Sequence, residues 1–274
     1  MVEVTKQDII DGLRRLGLEP GAIILVHSSL KSFGHVEGGA TTVIEALKET
    51  VTRQGLVVMP THTYSLKNRE GAEPYDPRTT RSETGLIPLV FWQQADVLRS
   101  LHPTHSDAAW GDRAAELLAD HETRGPIARD SPLDRAARWG GHVLQLGTRH
   151  TTNTSLHLAE VLANVPYLHV PYRRRWGTVA LVRAPDGRAR EIQLPVGHRP
   201  GCSGGFDAIE PLLEAHGLTR ETRIGESRAR LTRTLDMLRL AVETLEKDAA
   251  FLLCRRPDCQ YCTEARKVVV ESRS

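Results

Sequence analysis

The chain has 274 residues, 40% of them hydrophobic, and its 36 basic and 34 acidic side chains leave a formal charge of +2. That length permits one large α/β domain or two modest ones, and the near-neutral balance excludes a dedicated nucleic-acid binder, which carries a basic excess. No apolar run approaches the roughly 18 residues of a membrane span, and Met1-Val2-Glu3-Val4-Thr5-Lys6 has no signal-peptide core, so a soluble, cytoplasmic protein is expected. Four cysteines in a chain this long do not make a disulfide framework; reduced thiols or a metal site fit better.

Thr5 caps a first helix, in which Ile9, Ile10, Leu13 and Leu16 recur at helical spacing and Gly17 marks the end. Ala22-Ile23-Ile24-Leu25-Val26-His27 is a continuous apolar run, the texture of a buried parallel strand. A hydroxyl-rich loop, Ser28 to Gly34, follows it. Gly38-Gly39-Ala40 then opens a helix that runs to about Thr52, and Leu56-Val57-Val58-Met59-Pro60 is a second buried strand. This order fits a right-handed crossover between parallel strands.

Beyond Thr61-His62-Thr63-Tyr64-Ser65 lies a long polar segment, Lys67 to Glu83, with the length of a binding loop or lid. Gly85 to Leu98 reads as a helix. Arg99-Ser100-Leu101-His102-Pro103-Thr104-His105-Ser106 is a loop, because Pro103 pushes His102 out of the helical region. Arg113 to His121 reads as a short helix. Val143-Leu144-Gln145-Leu146-Gly147 is a third buried strand ending in a glycine turn. Thr151, Asn153 and Thr154 supply cap chemistry for a helix from Ser155 to Leu162.

From Pro166 the texture changes. Two alternating runs around Ala184-Pro185-Asp186-Gly187 predict a β-hairpin. Gly197 to Gly205 is glycine-rich, Asp207 to His216 reads as a short helix, and Ser227 to Leu253 reads as one long helix. Cys254, Cys259 and Cys262 end the ordered part, with a frayed tail after Glu271. The expectation is a single α/β domain over residues 1–274, with a mixed, mostly parallel central sheet and flanking helices. Its portions are a main α/β part (1–165), a β-hairpin and loop part (166–225), and a C-terminal helix with a cysteine tail (226–274).

Several stretches carry candidate chemistry. Ser28, Ser29, Leu30, Lys31, Ser32, Phe33 and Gly34 follow a strand and precede a helix, where backbone N–H groups and hydroxyls hold phosphate. Neither a dinucleotide-binding fingerprint nor a P-loop is present. In the second loop, Arg99 suits phosphate, Ser100, Thr104 and Ser106 are polar donors, and His102 and His105 read as structural or binding groups. His157 and Glu160 are three residues apart, so a helix puts them on one face as a base and the carboxylate that orients it. Gly201-Cys202-Ser203-Gly204-Gly205 fits a nucleophile-elbow string, but Val196-Gly197-His198-Arg199-Pro200 is not the buried strand that an elbow needs. Cys202 reads as a buried, inert thiol. Cys254, Cys259 and Cys262 offer three thiolates where a structural zinc needs four, and no fourth ligand is obvious nearby, so a reduced, metal-free terminus is expected, with a structural zinc at these cysteines as the alternative. No catalytic metal is expected.

Taken together, these stretches resemble the aminoglycoside N(3)-acetyltransferase family, the antibiotic acetyltransferases outside the GNAT fold. The matching pieces are Val26 to Lys31, Gly38-Gly39-Ala40, Met59 to Thr63, Arg99 to Ser106, Gly125 with Ser131-Pro132, and Asn153-Thr154-Ser155-Leu156-His157-Leu158-Ala159-Glu160, in the family's order over residues 5 to 165. The resemblance implies acetyl transfer from acetyl-CoA to an amine, the 3-amino group of a 2-deoxystreptamine ring, and hence antibiotic resistance. It implies that the loops at Ser28–Gly34 and Arg99–Ser106, Pro103 included, hold coenzyme A. It places the catalytic histidine at His157 with Glu160 beside it. Tyr64, Asp76, Glu83 and Thr154 are expected to meet the acceptor, with Asp107 adding negative charge. Some members have an acidic residue at the position of Thr151, a departure that bears on the acceptor more than on the reaction. The expected partner is a small-molecule aminoglycoside or another amine, with no nucleic acid or membrane, and the chain is a monomer or homodimer. Two other readings remain: a biosynthetic acyltransferase using another amine, and a non-catalytic coenzyme A-binding protein.

Overall fold

The structure, a computed structural model, describes residues 3–63, 73–171, 179–184, 186–193 and 200–272. Its strands are β1 (Glu3–Val4), β2 (Ile23–Ser28), β3 (His35–Val36), β4 (Leu56–Pro60), β5 (Leu98–Arg99), β6 (Asp107–Trp110), β7 (His142–Leu146), β8 (Val179–Arg183), β9 (Ala189–Gln193), β10 (Thr219–Ile224) and β11 (Ser227–Arg233). Its helices are α1 (Lys6–Arg15), α2 (Gly39–Val51), α3 (Leu86–Trp92), α4 (Ala114–Leu118), α5 (Pro132–Arg138), α6 (Ser155–Leu162), α7 (Glu210–Ala215), α8 (Thr234–Lys247) and α9 (Gln260–Glu271).

The three apolar runs become the centre of one seven-stranded sheet, ordered β10-β11-β7-β2-β4-β6-β5. Successive side chains of a strand point to opposite faces, and both faces here are covered. Ile24, Val26, Val57, Met59 and Leu144 face a layer containing α1, α2 and α3. Leu25, Leu56, Val58 and Val143 face a layer containing α4, α5, α6, α8 and α9. The predicted hairpin forms as β8 and β9, apart from the main sheet.

The sheet is mixed, but parallel pairing is confined to β7, β2 and β4. The other neighbours in the sheet pair antiparallel. Two segments account for the difference. Asp107-Ala108-Ala109-Trp110 has no branched residue to mark it as a strand, yet it is fully buried beside β4. Ser227 to Arg233, expected as the start of a long helix, is instead β11. Its Ser227, Ala229 and Leu231 point inward at a period of two, and β10 pairs with it across a tight turn at Gly225-Glu226. Gly225 has φ +57, which such turns require and which glycine adopts without strain. The helix starts only at Thr234. The strands β10 and β11 therefore tie the later part of the chain to the sheet built by residues 1–165.

Two further boundaries move. The helix expected over Gly85–Leu98 stops at Trp92, and beyond it Asp96 accepts from Lys48 (2.8 Å) and the Trp110 indole N–H (2.6 Å). The chain does not end its order at the cysteines: Cys262 lies in α9, which also buries Tyr261, Ala265 and Val269. No helix among the described residues is long and apolar enough to cross a membrane.

The interior holds an unusual number of imidazoles. His27, His62, His102, His121 and His150 are all buried. Burial holds His27 down at about 3 and His121 and His150 at about 4, and keeps His62 and His102 well below the ordinary histidine value. Burial pushes the Asp107 carboxyl the other way, up to about 8. The imidazoles are neutral in the fold and take up protons near pH 6.5 when unfolded, so the stability they contribute is lost as pH falls below that value. Asp107 is protonated in the fold and ionised when unfolded, so its contribution is lost as pH rises from about 4 to 8. Between pH 5 and 7 the histidines outnumber it. Urea unfolding at pH 5 is therefore expected to show clearly less stability than at pH 7. Equal midpoints at the two pH values would contradict this assignment of buried neutral histidines.

Candidate active site

The carboxyl ends of the parallel strands β2, β4 and β7 open at one edge of the sheet, the usual crevice of open α/β folds. A cleft of about 420 Å³ lies there. Its floor includes Val26, His27 and Ser28 from β2 and Pro60 from β4. Thr148, Thr151, Thr152 and Thr154, from the loop after β7, form one wall. Pro200, Gly201 and Ser203 form another.

Gly147 makes the turn out of β7 at φ +67, and the Ser32 hydroxyl occupies the space a Cβ would need. The chain then makes a single 3-10 turn, His150–Thr152, and enters α6. Asn153 caps that helix, its Oδ1 accepting from the Ser155 N–H at 3.2 Å. Thr154 makes no capping bond; it lines the cleft instead.

On the first turn of α6, His157 Nδ1 lies 2.7 Å from Glu160 Oε2. The Tyr167 hydroxyl donates to Glu160 Oε1 at 3.0 Å. Burial, with Glu160 next to it, pushes the Tyr167 phenol upward, so it stays protonated and remains a donor. The edge of Phe206 packs on the His157 ring, with centroids 4.6 Å apart. His157 and Glu160 are only 6% and 3% exposed, which excludes most water from their bond. A carboxylate accepts, so the proton sits on Nδ1 and Nε2 is the nitrogen left for the cleft. This arrangement can accept a proton from a group bound in the cleft.

The predicted loop at Ser28 divides. Ser28 lines the cleft, and its buried Oγ has no hydrogen-bond partner among the described residues. The Ser29 N–H already donates to the Leu146 carbonyl. The Ser32 hydroxyl donates to the Ser29 carbonyl and lies 2.9 Å from the Ser227 hydroxyl, and Phe33 is buried in the core. Lys31 is exposed, Leu30 half-buried, and Gly34 turns at φ +85.

The second loop is filled with internal partners. Arg99 donates to Thr61 and Ser106 and to the carbonyls of Thr61 and Thr80, and stacks on Trp92 with its guanidinium 4.6 Å from the ring centre. The Ser100 hydroxyl accepts from the Asp107 N–H and lies 2.9 Å from His121 Nδ1. His102 is fully buried, and its Nδ1 accepts from the backbone of Thr104 and His105. The Pro103 carbonyl accepts from Thr63, Thr104 lies 2.9 Å from His105 Nδ1, and Ser106 donates to the Thr61 carbonyl.

Of the expected acceptor-binding residues, Glu83 and Thr154 line the cleft. Asp76 is turned to Arg78, with two contacts at 3.1 Å, and to Arg183 at 3.7 Å. Tyr64 lies outside the described residues. Asp107 is buried and held protonated near neutral pH, so it adds no negative charge to the cleft. Ser203 lines the cleft, but no hydrogen bond joins it to His157 among the described residues. The residues before it, 194–199, lie outside those described.

The sequence does not single out His27, His62 or Tyr167 as site residues, and it gives His105 only a structural or binding role. His62 and His105 both line the cleft, with rings 4.7 Å apart. Their meeting follows from the antiparallel β4–β6 pair, which carries on as Thr61 N–H to Ser106 and Thr63 N–H to Thr104. No spacing rule signals Tyr167, which returns to Glu160 from beyond the end of α6.

The sequence model of the aminoglycoside 3-N-acetyltransferase family matches residues 25–246. Aminoglycoside N(3)-acetyltransferase IV of a Salmonella species is 34% identical over 253 residues, 92% of this chain and 91% of that protein. Aminoglycoside N(3)-acetyltransferase III of Acinetobacter baumannii is 31% identical over 270 residues, 89% of this chain and 92% of that protein. The crystal structure of a histidine-to-alanine mutant of aminoglycoside acetyltransferase AAC(3)-IVa in complex with a gentamicin aligns with a TM-score of 0.83 at 32% identity, covering 98% of each chain. That of AAC-IIIb with CoASH aligns with a TM-score of 0.76 at 28% identity, covering 90% of this chain and 97% of that one. With sequence and fold in agreement over most of its length, the chain belongs to the aminoglycoside 3-N-acetyltransferase family.

Proposed function

We propose that this chain transfers the acetyl group of acetyl-CoA to an aminoglycoside amine, the 3-amino group of the 2-deoxystreptamine ring, and so confers resistance. The observation that carries the reading is the buried line Tyr167–Glu160–His157 ending at the cleft. Two relatives add to it, one crystallised with a gentamicin and one with CoASH.

An amine attacks a thioester only when neutral. His157 Nε2 takes a proton from the attacking amine, and Glu160 stabilises the imidazolium that forms. The amine nitrogen bonds to the acetyl carbon, the carbon–sulfur bond breaks, and the coenzyme A thiolate leaves and is protonated. Both substrates lie together in the cleft, so the rate gain comes from proximity and no acyl-enzyme forms. The hydroxyls of Ser28 and Thr154, both at the cleft, are the donors assigned to the developing oxyanion. The Ser29 N–H is not among them, because Leu146 already holds it. Lys31, exposed on the same loop as Ser28, is assigned to the cofactor's phosphates. Arg99, Ser100, His102, Pro103, Thr104 and Ser106 are assigned the role of bracing the wall that carries His105. Glu83 is assigned to the cationic acceptor.

One observation favours a second reading, the same transfer to a different small-molecule amine. Glu83 is the one carboxylate among the described residues that line the cleft, and a polycation calls for more.

The test is release of free coenzyme A thiol from acetyl-CoA, with and without gentamicin, apramycin or sisomicin. Release that requires an aminoglycoside is expected. Release only with other amines would favour the second reading, and none at all would overturn both. His157→Ala is expected to lower turnover by roughly 10²–10⁴. A loss under about tenfold, with the fold intact, would remove His157 as the base. Tyr167→Phe deletes one hydrogen bond to Glu160 and is expected to lower kcat roughly tenfold with KM for the aminoglycoside unchanged. An unchanged kcat would show that Glu160 holds its position without it.

A further inference from the structure

The fold brings a fourth cysteine to the C-terminal three. Cys202 comes from the cleft wall, Cys254 from the segment after α8, Cys259 from the residue before α9, and Cys262 from its first turn. The four sulfurs all lie within 4.8 Å of one another, and all four residues are buried. Cys202 Sγ and Cys254 Sγ are 3.8 Å apart. A tetrahedral ion with metal–sulfur bonds of about 2.3 Å separates its sulfurs by roughly 3.8 Å. Disulfides need sulfurs drawn into pairs, whereas here four converge on one point, as a single ion requires.

The surroundings suit thiolates. The Gly204 N–H points to Cys202 Sγ at 3.3 Å, and Arg256 approaches the same sulfur at 3.7 Å. Such donors offset the charge of a four-thiolate site. The glycines of Gly201-Cys202-Ser203-Gly204-Gly205 gain a reason as well. A Cβ on Gly201 would strike the Tyr261 ring at 2.3 Å, and one on Gly205 would strike the Leu252 carbonyl at 2.5 Å. The string that resembles a nucleophile elbow is a tight turn pressed against the C-terminal segment.

We propose that Cys202, Cys254, Cys259 and Cys262 hold one structural Zn²⁺ as four thiolates, clamping the cleft wall at Gly201–Ser203 to α9. Binding displaces four thiol protons to solvent, and no electron is transferred. The clamp sits at the back of the catalytic site. Gly201 and Ser203 line the cleft, Phe206 packs on His157, and Tyr261 meets Tyr167 edge-on with centroids 6.5 Å apart. Zinc fits this all-sulfur, buried and closed donor set better than magnesium or calcium, which take oxygen ligands.

The test uses the full chain purified without chelators. Plasma mass spectrometry is expected to find about one zinc per chain. Titrating the wild-type thiols with an organomercurial, in the presence of a zinc-sensitive dye, is expected to release that zinc as the four thiols react. Protein refolded with Co²⁺ is expected to show sulfur-to-cobalt charge-transfer absorption, lost in Cys202→Ser. The wild-type titration keeps the proposal testable if that variant does not fold. A metal-free protein with four free thiols, a disulfide seen by intact mass, or iron in place of zinc would overturn it.

Discussion

The hydrogen bond between His157 Nδ1 and Glu160 Oε2 sets the demand that the surrounding structure meets. A buried carboxylate loses several kcal/mol of hydration, and charge-assisted hydrogen bonds of about 1.5–3 kcal/mol each must offset it. One bond comes from His157, and the other must reach the second oxygen. Tyr167 supplies it, and for that the chain has to fold back immediately after α6. Asn164 adopts φ +49, and the Val165 N–H returns to the Glu160 carbonyl. Tyr167 is then fully buried, with Tyr261 of α9 against its ring. The helix α9 thus supports Tyr167, a residue far earlier in the chain.

The sheet places that pair where a substrate can reach it. Parallel strands at the centre send their carboxyl ends to one edge, and α6 starts just beyond one of them. The antiparallel β4–β6 pair then brings the loop after Arg99 across the same opening, so that His62 and His105 share a wall. The side chains of that loop are engaged with one another and with Thr61, Thr80, Trp92 and His121. Among the described residues, His105 is the part of that loop that lines the cleft.

Much of this was legible in the residues. The runs at Ile23, Leu56 and Val143 read as buried strands because strands covered on both faces are apolar throughout. His157 and Glu160 were legible because a helix puts residues three apart on one face. Other features were not, for definite reasons. Leu231, Leu235 and Leu238 fit a helical period by chance, although the residues from Ser227 to Arg233 pair as a strand whose alternation is diluted by arginines. Arg99 has the chemistry of a phosphate ligand, and only the fold shows that Thr61, Thr80 and Ser106 already hold it. Cys202 stands 52 residues before Cys254, so no ligand-spacing rule joins them. Tyr167 comes back through a turn that no periodicity announces.

If Glu160 orients the imidazole, His157 carries its proton on Nδ1 and leaves Nε2 bare toward the cleft. Long-range ¹⁵N–¹H correlation spectra of the histidine side chains measure this directly, with the His157 signals assigned by their loss in His157→Gln. A protonated Nδ1, an unprotonated Nε2 and a downfield Nδ1 proton that shifts upfield in Glu160→Gln are expected. A His157 ring protonated on Nε2 alone, or spectra unchanged by Glu160→Gln, would contradict it.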